Sequence, residues 1–217
     1  MPRLGLGRNL SIPRRAGGTL LGGAHLFNGT STRVQLTNVM SLQDFTIMFW
    51  MKSNFSTSGM IIDFRDASND GVRIQNNSST TTFCQYNSVA VSHTVTNQLW
   101  AHIALTANTT TELLTPVLNG VAGTTASIAG TDIATTTAGR IGCLSTAANT
   151  FYKGQLAQMA IFNTALSAAT ISGLMNKTYS QLSAGDKTNL VSWWALTNIS
   201  GTSVPDLHGT NHGTLTP

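Results

Sequence analysis

Hydrophobic and polar residues alternate in short runs along most of this chain, and clusters of Gly, Asn, Asp and Thr separate the runs. A period of two is the pattern of half-buried antiparallel strands. It predicts strands over residues 25–27, 32–36, 45–52, 60–65, 72–75, 82–86, 100–106, 113–118, 140–142, 152–162 and 190–196. In the third of these, Phe45, Ile47, Phe49 and Met51 alternate with Thr46, Met48, Trp50 and Lys52. One face is wholly apolar and the other mixed, which predicts a central strand. Asn119-Gly120, directly after residues 113–118, marks a hairpin. Only residues 166–176 read as a helix, with Ser167 as N-cap, Leu166 and Ile171 placed for a hydrophobic staple, and Ile171, Leu174 and Met175 on one face.

Composition sharpens this to an all-β chain. Only 9% of the 217 residues are charged, while Ser, Thr and Asn make up about a third. Those residues suit the solvent faces and turns of strands rather than helix surfaces. With 41% hydrophobic residues the chain can bury one core unaided. No run of ~18 apolar residues is present, so no membrane insertion is expected. Met1 to Arg8 lacks the apolar stretch of a secretory signal, which predicts synthesis in a cytoplasm. Cys84 and Cys143 sit in strand-like segments and read as a buried reduced pair.

Charge divides the chain in two. The net charge is +4, and Arg3, Arg8, Arg14 and Arg15 are the only charges before Arg33. Without those four the remainder carries 8 Lys and Arg against 8 Asp and Glu. A neutral body with 7% aromatic residues has no basic stripe for nucleic acid. Residues 1–23 therefore read as an extended basic arm, punctuated by Gly5, Gly7, Pro13, Gly17 and Gly18, and residues 24–217 as the folded domain. Arg3, Leu4, Leu6, Arg8, Leu10, Ile12, Arg14 and Arg15 are the candidate partner-docking residues.

Several segments carry a family likeness. Residues 26–34, Leu-Phe-Asn-Gly-Thr-Ser-Thr-Arg-Val, resemble the opening strand of laminin-G-like domains in the concanavalin A-like lectin/glucanase superfamily. Residues 45–52, residues 99–106 with the Leu118-Asn119-Gly120-Val121 turn, residues 154–167, and residues 206–215 resemble further motifs of that family, in order. The resemblance spans about residues 24–215 and implies a two-sheet antiparallel jelly-roll sandwich with one short helix. It leaves the arm unexplained.

The family includes enzymes and lectins, so the site must decide function. Its glycosidases use paired carboxylates, whereas Glu112 is the single Glu here, beside a predicted turn. Asp63, Asp66 and Asp70 share their stretch with Arg65 and Arg73 and read as turn capping and local ion pairing. None of His25, His93, His102, His208 or His212 has a nucleophile-elbow context; His102 reads as a packed strand histidine. Many relatives hold calcium through carboxylates at positions that here are Asn28, Ala157 and Gln158. Calcium is therefore not expected, with Asp206 and Asn211 left as a weak candidate site and His208 with His212 as a poor zinc pair. For a glycan, Trp193, Trp194 and Tyr152 are the candidate residues. Adjacent Trp193 and Trp194 point to opposite faces, so one of them is expected to leave the core as a sugar platform or an interface anchor.

No enzyme is expected. The low-charge jelly roll with its basic arm resembles bacteriophage structural proteins. The expectation is a virion protein made in the host cytoplasm, a capsid decoration or head-fibre subunit docked through the arm on capsid or other virion proteins, with homo-oligomeric or lattice contacts. The alternative is a lectin or adhesin that recognises host-surface glycans.

Overall fold

The computed structural model describes residues 23–217 apart from 37–39, 42, 55–57, 67, 69, 79, 131–134, 137–138, 145–148, 198 and 200. The strands are β1 (His25–Asn28), β2 (Arg33–Leu36), β3 (Met40–Ser41), β4 (Phe45–Ser53), β5 (Gly59–Arg65) and β6 (Gly71–Asn76). They continue with β7 (Thr81–Tyr86), β8 (Val89–Thr94), β9 (Trp100–Asn108), β10 (Leu113–Leu118), β11 (Val121–Ala122) and β12 (Ala126–Ser127). The last are β13 (Thr135–Thr136), β14 (Arg140–Ile141), β15 (Lys153–Phe162), β16 (Leu190–Trp194), β17 (Ser203–Val204) and β18 (Gly213–Thr216). One α-helix, α1 (Ala168–Leu174), and a 3-10 turn (Tyr179–Gln181) lie between β15 and β16.

Among the described residues two eight-stranded antiparallel sheets result, as the alternation predicts, and β3 and β13 form a separate two-stranded pair. The first runs β1-β15-β4-β9-β10-β11, with β16 also on β15 and β12 on β10. The second runs β17-β18-β2-β14-β5-β6-β7-β8. β4 lies between β15 and β9, in the interior of its sheet. Its apolar face, Phe45, Ile47, Phe49 and Met51, joins Val34, Ile62, Phe64, Ile74 and Leu105 in the core between the sheets. Its mixed face points outward, where Met48 and Trp50 enter separate apolar clusters.

Local signals place the connections. Asn119 (φ 51°) and Gly120 (φ 80°) both take the left-handed conformation that a tight hairpin needs, and Leu118 pairs with Val121 across them. A Cβ on Gly120 would stand 2.8 Å from the Cβ of Ser172, so this glycine also lets α1 sit against the hairpin. Ser167 caps α1 by accepting from the Thr170 amide at 3.1 Å. Ile171 and Leu174 turn their buried side chains onto the outer face of the first sheet, with Leu166 packed beside them. Both described helical segments therefore cover the first sheet. Strand β8, which the sequence reading left unassigned, completes a two-residue hairpin through Asn87 and Ser88.

Candidate functional site

Trp193 and Trp194 do point to opposite faces of β16: Trp194 enters the core between the sheets and Trp193 the outer cluster. The expectation that one of them leaves the interior is wrong. Trp193 is 1% and Trp194 0% exposed, because Ile171, Leu174 and Tyr179 close over the outer one. Both indole N–H groups are satisfied inside, Trp193 by Gln158 Oε1 and Trp194 by the Asn211 carbonyl, each at 2.9 Å. Gln158 reaches that position from an irregularity in β15, where its φ is +49°. Tyr152 is also fully buried, 6.0 Å edge-on from Phe27, and burial pushes its hydroxyl above the usual range. None of the three presents a platform to a glycan or partner.

The weak calcium candidate, Asp206 with Asn211, is tied into the fold by hydrogen bonds. Asp206 Oδ1 accepts from the amides of Trp193 (2.9 Å), His208 (3.0 Å) and Gly209 (3.1 Å), and Oδ2 from that of Asn211 (3.1 Å). Burial alone would raise this carboxyl, but the amides outweigh it and hold it below the usual range. Asn211 donates to Ser192 Oγ at 2.6 Å. The pair fastens the C-terminal turn to β16: both Asp206 oxygens accept backbone amides, and the Asn211 carbonyl accepts from the Trp194 indole. Asn28 Oδ1 likewise accepts from the amides of Thr30, Ser31 and Thr32. His208 Nδ1 meets the Tyr179 hydroxyl, whereas His212 Nδ1 accepts from the Asp206 amide. Among the described residues no three His, Cys, Asp or Glu side chains converge on a metal position.

Candidates for chemistry are dispersed as well. Glu112 is exposed in a turn with φ +54°. His102 is buried on the outer face of the first sheet, 5.3 Å edge-on from Trp50, and its Nδ1 has no hydrogen-bond partner. Burial lowers its pKa to about 3, so the ring is neutral. Cys84 and Cys143 are buried free thiols, the first pushed up to about 12 by burial. Arg3, Leu4, Leu6, Arg8, Leu10, Ile12, Arg14 and Arg15 lie outside the described residues.

The outer face of the second sheet differs. Alternation sends Val34, Ile141, Ile62, Ile74 and Cys84 inward, so their neighbours Gln35, Arg140, Asp63, Arg73 and Gln85 face out. The register sets these five side by side, Gln35 opposite Arg140, Arg140 opposite Asp63, Asp63 opposite Arg73, and Arg73 opposite Gln85. At about 4.8 Å per strand the row runs roughly 19 Å. Gln75 and Phe83 form the next row, and the Arg73 guanidinium lies 5.4 Å over the Phe83 ring.

This row is only partly satisfied. Arg65 holds Asp63 through two contacts, at 2.7 and 3.2 Å. Arg140 donates to Gln35 Oε1 at 2.6 Å and to the Leu144 carbonyl at 3.0 Å. Gln85 Nε2 donates to the Asn87 carbonyl, yet Gln85 Oε1 and Arg73 Nε are buried without partners. An orphan acceptor and an orphan donor thus sit on directly opposed residues. Arg73, expected to pair locally with the nearby Asp residues, stands opposite Gln85 and beside Phe83. Their signal was the alternation itself, Val72-Arg73-Ile74-Gln75 against Thr82-Phe83-Cys84-Gln85.

An apolar cleft of about 480 Å³ at Leu196, Ile199, Val204 and Pro205 brings no charged side chain with it.

Residues 28–172, two thirds of the chain, match the family described as the Concanavalin A-like lectin/glucanases superfamily. The chain belongs to that superfamily. The chain is similar to a Bacteroides ovatus protein assigned to carbohydrate binding, at TM-score 0.70 and 12% identity over 89% of this chain and 58% of that one. A heptameric SAP-like pentraxin of Limulus polyphemus aligns at TM-score 0.60 and 12% identity, over 87% of this chain and 93% of its own. The CBM40 module of a Ruminococcus gnavus sialidase, solved with α2,3-sialyllactose, aligns at TM-score 0.53 and 12% identity, over 62% and 84%. At such identities the likeness of this superfamily member to them is one of fold. No curated protein matches it in sequence.

Proposed function

We propose that the chain is a non-enzymatic glycan-binding module whose ligand lies across the outer face of the second sheet. One observation carries the reading: Arg73 Nε and Gln85 Oε1 stand unpaired on opposed residues beside the Phe83 ring. A sugar hydroxyl both accepts and donates, so one hydroxyl completes the pair. Unpaired buried groups cost about 1–3 kcal/mol each, which a ligand that pairs them recovers. Arg73 and Gln85 are half-buried residues on the outer face of this sheet. Phe83 supplies the apolar surface on which a pyranose ring packs. The carbohydrate-binding assignment of the Bacteroides protein and the sialyllactose on the Ruminococcus module support this reading.

Calorimetric titration with oligosaccharides chosen from a glycan array tests it. Phe83→Ala and Gln85→Leu each weaken binding about tenfold, the loss of roughly 1.4 kcal/mol. Unchanged affinity in both variants contradicts the site.

The concentration of the chain's net charge in Arg3, Arg8, Arg14 and Arg15 favours a second, compatible reading. In it the module is a virion surface subunit, a capsid decoration or head fibre, with residues 1–23 docked on the particle and many copies adding avidity. Deleting residues 1–18 then abolishes co-sedimentation with particles and leaves the fold intact; retained co-sedimentation contradicts it.

A further inference from the structure

We infer that the saccharide this face takes is acidic, its carboxylate or sulfate paired with Arg73. The inference rests on the glycan-binding reading above and adds the ligand's charge. Four of the eight cations outside the arm, Arg33, Arg65, Arg73 and Arg140, belong to the outward positions of this one sheet. The carboxylate among them, Asp63, is engaged by Arg65. Asp66 and Asp70 belong to the loop beyond the strand ends, where Asp66 accepts from the amides of Ser68 and Asp70.

The other cations differ in how far they are engaged. Arg33 donates to the Ser31 carbonyl at 3.2 Å, and Arg140 is held by Gln35 and Leu144. Arg73 has the Phe83 ring against its face and no hydrogen-bond partner at Nε. Burial and the nearby Arg65 charge both lower its pKa, against the pull of Asp63. The planar guanidinium fork of Arg73, with its cationic centre 5.4 Å over the Phe83 ring, matches the two parallel hydrogen bonds that a carboxylate or sulfate accepts. A neutral sugar satisfies the orphan atoms and leaves the excess of cations unanswered.

Paired probes separate charge from sugar: sialyllactose against lactose for the carboxylate, and a sulfated hexasaccharide against its desulfated form. Each is titrated calorimetrically into the full chain at low and high salt. The acidic member of at least one pair binds about tenfold tighter, and added salt narrows the difference. Arg73→Gln abolishes the preference, whereas Arg73→Lys, which keeps the charge but loses the fork, retains part of it; circular dichroism verifies that both variants fold. Equal binding of acidic and neutral members overturns the acidic class and leaves the glycan reading standing. Binding of neither class overturns both.

Discussion

The two sheets use their outer faces in opposite ways. Outside the first, Met48, Ala104, Ala160, Phe162 and Trp193 form a seat that Ile171 and Leu174 of α1 cover. Trp50 is closed off beside it, its indole N–H donating to the Met175 carbonyl at 2.7 Å. Outside the second, the same alternation presents Gln35, Arg140, Asp63, Arg73 and Gln85 with Phe83 alongside. On the first face Trp193 and Phe162 are buried under α1, whereas the second carries a row of planar polar side chains. The proposed saccharide site therefore rests on a row of Gln and Arg, not on the buried tryptophans.

The comparison predicts unequal costs of substitution. Trp193→Ala empties the seat of α1 and lowers stability by about 3–5 kcal/mol in urea unfolding. A loss below about 1 kcal/mol would mean the first face is not the sealed one.

Acid acts on the same face. Folded His102 has a pKa near 3 against the ordinary 6.5, so between those values the unfolded chain takes up a proton that the folded chain refuses. Stability is fully present above pH 6.5 and falls by up to about 1.4 kcal/mol per pH unit below it. Burial lowers His25 and His93 too, with the same sign. Comparing unfolding midpoints at pH 7 and pH 5, the His102→Gln variant loses less than the parent; equal losses would remove His102 from this account.

Ser167→Ala at the cap of α1 costs about 1 kcal/mol by thermal or urea unfolding, since it strands the Thr170 amide. Smallest in stability is Phe83→Ala on the second face, below about 1 kcal/mol because the ring is only half-buried, although its effect on saccharide affinity is about tenfold. A large stability loss at Phe83 would make that face structural and erase the contrast.

Much of the fold was legible from the chain. Period-two alternation located the long strands, and Asn119-Gly120 and Ser167 marked a hairpin and a helix start by local geometry alone. The adjacency of Trp193 and Trp194 told correctly that they diverge. It did not tell that α1, nearly 20 residues earlier in sequence, folds back over Trp193, or that Gln158 turns out of β15 to receive its N–H. The candidate site was hidden for a related reason. Arg73 and Gln85 are ordinary outward strand residues until the register of β6 and β7 sets them opposite each other, and register follows from core packing that no single segment specifies.

The most direct test is backbone amide NMR of the isotopically labelled chain during titration with a saccharide that binds. This account predicts chemical-shift changes concentrated on β5, β6, β7 and β14, centred on Arg73, Phe83 and Gln85. Changes centred instead on the cleft at Leu196 and Val204, or on the helix-covered face around Trp193, would contradict it.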